Sequence, residues 1–72
     1  MSDIVDIDSI VVNDRHRKDI GNLELLMESI EDVGLLQPIV IKRDGTLLAG
    51  WRRLEACRRL GMTTIEAKVI EQ

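Results

Sequence analysis

The run from Pro38 to Gly61 narrows most what this chain can fold into: Pro38-Ile39-Val40-Ile41-Lys42, then Asp44-Gly45, then Thr46-Leu47-Leu48-Ala49, then Gly50 and a helical pattern. Proline opens a β-branched strand where its missing N–H does least harm. Asp-Gly between two apolar runs signals a two-residue hairpin, so the second run should return antiparallel to the first. The hairpin delivers the chain to Gly50, and the stretch from Trp51 to about Leu60 reads as a helix that Gly61 stops. A strand end, a glycine and a helix whose first turn carries Arg52 and Arg53 bring unpaired backbone N–H groups and guanidinium forks to one place. That is the chemistry of an anion site.

Before this run, Ile4-Val5-Asp6-Ile7 and Ile10-Val11-Val12 have short β character, one or two strands, and Asn13-Asp14 marks a turn. Arg15-His16-Arg17-Lys18-Asp19 is a charged loop, either a solvated entry loop or a second basic wall facing the anion site. His16 reads as a surface residue. Asp19 or Asn22 can cap the helix that follows, in which Leu23, Leu26, Met27 and Ile30 recur as one buried stripe and Leu25 falls outside it. Gly34 ends that helix, with Leu35 expected to fold back on its last turn. After Gly61, Thr63 to Ile70 alternates Ile65, Ala67 and Val69 with Glu66 and Lys68, the pattern of a last strand.

With 72 residues, the chain holds one domain and a modest aliphatic core, since it has one Trp and no Phe or Tyr. A core this small makes docking to a second copy or to further domains a reasonable expectation. The formal net charge of −3 argues against gripping nucleic acid through the overall field. One cysteine forms no internal disulfide, and with neither a signal peptide nor a membrane-length apolar run the default location is the cytoplasm. One His with one Cys is too little for a zinc site or a thiol catalyst.

At about 100° per residue, Leu54, Cys57 and Leu60 form the apolar side of the second helix, with Trp51 and Ala56 at its margins. Arg52, Glu55 and Arg59 fall opposite, and Glu55 and Arg59 are spaced to pair. Arg53 projects toward the buried side in the first turn, where its charge adds unfavourably to the helix dipole. Two arginines there call for a counter-anion such as a phosphate, or for carboxylates from the acidic N-terminal segment, or for a path over the edge of the core. Trp51 is core filler or a platform for a base or sugar. Cys57 is a small core residue.

Ser29-Ile30, Gly34-Leu35-Leu36-Gln37-Pro38-Ile39-Val40, the hairpin, Ala49-Gly50-Trp51-Arg52-Arg53-Leu54-Glu55-Ala56 and Leu60-Gly61 together resemble the N-terminal domain of ParB partition proteins, within the ParB/sulfiredoxin superfamily. The likeness runs from about residue 15 to 70. It implies an α/β (α+β) fold, a small mixed sheet with two main helices. It also implies a nucleotide pocket, CTP favoured and ATP the alternative, with Mg²⁺. Gly50, Arg52 and Arg53 are then nominated for phosphate, Arg15 as a further phosphate contact, and Gln37, Pro38 and Trp51 for the base side. The family's usual G-E-R-R reads Gly50-Trp51-Arg52-Arg53 here, which leaves hydrolysis of the nucleotide open. Sulfiredoxins carry their catalytic cysteine at the position of Trp51, so peroxiredoxin repair is not expected. The chain stops at Gln72, before the metal-contacting motif, the helix-turn-helix and the dimerisation domain of complete partition proteins.

The resulting expectation is a nucleotide-binding domain, a homodimer off the membrane, serving DNA partition or DNA regulation on a mobile element through other domains or partners. A second reading is an interaction module that has lost the nucleotide. A third is a small nucleotide-dependent phosphotransferase or nuclease, which would need a general base near Gly50, whereas Glu55 points away.

Overall fold

A computed structural model of the chain describes residues 2–13, 21–34 and 37–71. Strands β1 (Asp3–Asp6), β2 (Ile39–Lys42), β3 (Leu47–Ala49) and β4 (Thr64–Ile70) form one sheet in the order β1-β4-β2-β3. β1 runs antiparallel to β4 and β3 antiparallel to β2, whereas β2 and β4 are parallel. Two helices complete the fold, α1 (Glu24–Val33) and α2 (Trp51–Arg59). This is the mixed α+β sheet with two main helices that the sequence led us to expect.

Register explains which residues are inside. Val5 faces Ile65, Ile39 faces Ala67 and Ile41 faces Val69, so one face of the sheet is aliphatic apart from the exposed Asp3 at the start of β1. Ile39, Ile41, Leu47, Ile65 and Ala67 from that face cluster with Leu54, Ala56 and Cys57 of α2 and Ile30 of α1. Burying these side chains is the main favourable term, about 1.5–3 kcal/mol for each of the larger aliphatics. The other face pairs Ile4 with Glu66, Val40 with Lys68 and Lys42 with Ile70. Leu23, just before α1, and Ile30 within it are buried, Leu26 and Met27 are half-buried, and Leu25 is 81% exposed, as the stripe requires. The Asn22 side chain accepts the Glu24 N–H at 2.8 Å and so satisfies a donor at the start of α1. The alternative cap, Asp19, and the expected fold-back of Leu35 lie outside the described residues.

Four local expectations need correction. The hairpin loop has three residues rather than two: Lys42 N–H bonds the Thr46 carbonyl at 2.8 Å, and Gly45 takes φ 94° to complete the turn. The Asp44 carboxylate caps this loop by accepting the Thr46 N–H at 2.9 Å, and the Thr46 hydroxyl followed by that N–H holds the Asp44 carboxyl below the usual carboxylate range. Register then shifts between Val40 and Ile41, so β3 carries one extra residue. The first strand ends at Asp6, and Ile7–Ser9 forms a 3₁₀ turn in which the Ser9 hydroxyl donates to the Asp6 carbonyl. Of Ile10-Val11-Val12 only Val11 pairs, in a single bridge to Thr46. Ala56, expected at the margin of the apolar side of α2, is fully buried, and Leu60, the residue that follows α2, is half-buried.

Candidate functional site

Gly50 sets the geometry. It caps α2 with φ 99° and ψ 26°, left-handed values that a residue with a side chain rarely adopts. A Cβ at this position would also lie 2.7 Å from Cγ2 of Ile39 and 3.2 Å from its Cα. Strand β3 can therefore turn directly into α2 across β2 only because nothing projects from residue 50. The start of α2 is thereby held against the N-terminal end of β2, beside Gln37 and Pro38.

The first turn of α2 has no acidic residue, so its unpaired N–H groups and two arginines form a positive corner. Arg52 is exposed and donates from Nη2 to the Asn22 backbone carbonyl at 3.0 Å. Arg53 is half-buried and donates from Nη1 to Oε1 of Gln37 at 2.9 Å. Neither forms an ion pair with a carboxylate among the described residues, so the proposed pairing with the acidic N-terminal segment is not found there. By contrast, Arg59 and Arg58 both share Glu55, at 3.4 and 3.7 Å, and Arg43 pairs with Glu71 at 3.2 Å. The expected Glu55–Arg59 pair is thus present, with Arg59 exposed and Glu55 half-buried. Glu55 is engaged on the far side of the helix.

Trp51 is half-buried and packs against the core cluster. Its Nε1 and the Nε of Arg53 are shut off from solvent without a hydrogen-bond partner among the described residues. The corner thus brings together Gly50, Trp51, Arg52, Arg53, Gln37 and Pro38, while Arg15 lies outside the described residues. Asn22 is a member that sequence reasoning assigned only to capping. Its backbone carbonyl holds Arg52, a role that no side-chain pattern announces. Cys57 is fully buried, and burial pushes its thiol pKa up, which suits a core residue rather than a nucleophile. Among the described residues, no group of three or more His, Cys, Asp or Glu is placed to hold a metal, and no helix is long and apolar enough to cross a membrane.

The profile of the ParB N-terminal domain matches residues 2–72. A Thermus thermophilus relative described as "Probable plasmid-partitioning protein ParB" is 37% identical over 68 residues, which cover 90% of this chain and 23% of that protein. The chain therefore spans under a quarter of the length of this relative. Among solved structures, sulfiredoxin from Arabidopsis thaliana superposes with a TM-score of 0.87 at 31% identity, covering all of this chain and 86% of that one. A C-terminally truncated chromosome-partitioning protein ParB from Caulobacter crescentus, solved with CTP-gamma-S, superposes with a TM-score of 0.84 at 28% identity, covering all of this chain and 45% of that one. With a profile match across nearly its whole length and the same mixed sheet, the chain belongs to the ParB N-terminal domain family of the ParB/sulfiredoxin superfamily.

Proposed function

We propose that this domain binds a nucleoside triphosphate, CTP in first place and ATP as the alternative, at the Gly50-Trp51-Arg52-Arg53 turn. The observation that carries this reading is that Arg52 and Arg53, at the start of α2, pair with no carboxylate among the described residues, beside a glycine that adds no side chain to the corner. The CTP-gamma-S complex of the Caulobacter protein supports CTP as the first ligand to test. Gln37, Pro38 and Trp51 lie on the base side in this reading, and Arg15 adds a phosphate contact. Mg²⁺ would be carried by the phosphate oxygens. The larger role is DNA partition or regulation as a cytoplasmic homodimer, with DNA contacted through other domains or partners. Trp51 in place of a cysteine weighs against sulfiredoxin chemistry.

The test is a calorimetric titration of CTP and ATP, with and without Mg²⁺, into the wild type and Arg53→Ala. Losing one charge-assisted contact of about 1.5–3 kcal/mol should weaken binding by about ten- to a hundredfold while circular dichroism shows a folded chain. Wild-type affinity in the folded variant would sink the site assignment. A bound nucleotide should also raise the melting temperature of the wild type, because only the folded state binds it.

A further inference from the structure

The arginines of α2 are held in two different ways. Arg58 and Arg59 lie against a carboxylate, that of Glu55. Arg52 and Arg53 are held by neutral oxygens instead, the Asn22 backbone carbonyl and the Gln37 amide. This happens in a chain with 13 acidic and 10 basic side chains, where carboxylates are plentiful. A guanidinium has only donors, so the Gln37 amide must turn its oxygen toward Arg53. A neutral dipole fixes the direction of the guanidinium without cancelling its charge. Arg53 Nε is also shut off from water and has no hydrogen-bond partner among the described residues, so solvent does little to screen that end of the group.

We propose that Gln37 is a neutral tether, a positioning residue that aims Arg53 at a phosphate group while leaving its charge available, rather than a residue that reads the base. This rests on the nucleotide reading above and revises it at one residue, moving Gln37 from the base side to the phosphate side. A glutamate at position 37 would keep the size and the hydrogen bond but would close an ion pair with Arg53, competing with any anion. A leucine would leave the charge intact and the guanidinium unaimed.

The experiment titrates CTP, ATP and inorganic tripolyphosphate into the wild type, Gln37→Glu and Gln37→Leu, with melting temperatures recorded alongside. Gln37→Glu should weaken all three ligands alike, by about tenfold or more, while its melting temperature stays level or rises from the added ion pair. Gln37→Leu should weaken all three alike and by less. Wild-type affinity in Gln37→Glu overturns the tether. So does a loss for CTP that spares tripolyphosphate, which would put Gln37 at the base. A wild type that binds none of the three refutes the nucleotide reading itself, whereas a wild type that binds beside an indifferent Gln37→Glu refutes the tether alone.

Discussion

At the scale of single residues, Gly50 bears the tightest constraint. A methyl group there meets Ile39 Cγ2 at 2.7 Å, and the backbone at φ 99° is strained for any L side chain. Gly50→Ala should therefore cost on the order of 3 kcal/mol, the left-handed backbone and the overpacking each contributing about 1–3 kcal/mol. Urea denaturation should show the midpoint falling with little change in slope; an alanine variant as stable as wild type would mean that the β3–α2 junction is looser than described. The glycine itself was legible, since a residue between a strand and an arginine-bearing helix start needs special backbone freedom. Its contact with Ile39 was not, because the pair meets only once β3 has folded back along β2. Arg53 was legible in direction but not in partner: periodicity sends it toward the buried side, and no spacing rule links it to Gln37.

At the scale of elements, α1 and α2 are joined through Asn22. Its side chain accepts the Glu24 N–H at the start of α1, and its carbonyl receives Arg52 from α2. Asn22→Ala should cost about 1 kcal/mol by removing the side-chain acceptor, while the backbone carbonyl continues to hold Arg52. Thermal denaturation checks the cost, and nucleotide affinity, measured by the same titration as above, should change far less than in Arg53→Ala. The helices and β4 could be read in advance because each has a clear period and a glycine or polar residue at its end. The hairpin loop was misjudged by one residue for a physical reason. Asp-Gly suits both a two-residue turn and a three-residue loop with glycine left-handed in its last position, and the choice falls to the pairing of Lys42 with Thr46.

At the scale of the whole molecule, Cys57 reports on the integrity of the core. It sits among fully buried residues of α2 and the sheet, so its thiol should resist alkylation in the native state and react only when the domain opens. Because burial raises its pKa, the unfolded chain gives up the thiol proton first as pH rises. This group should leave stability unchanged below the ordinary thiol value of roughly 8.5 and erode it above that, until the folded pKa is reached. Labelling with a maleimide across urea concentrations, at pH 7 and again in mild alkali, tests both statements; fast labelling under native conditions would contradict the burial. The sequence by itself determined the elements, the aliphatic stripes and the positive corner at residues 50 to 53, because these depend on local period and on neighbours in the chain. The strand order β1-β4-β2-β3, the seating of Gly50 on Ile39 and the Gln37–Arg53 bond were decided only by the tertiary structure. Each joins residues distant in sequence, and such contacts are chosen by competition among packings of the whole chain, which no local pattern encodes.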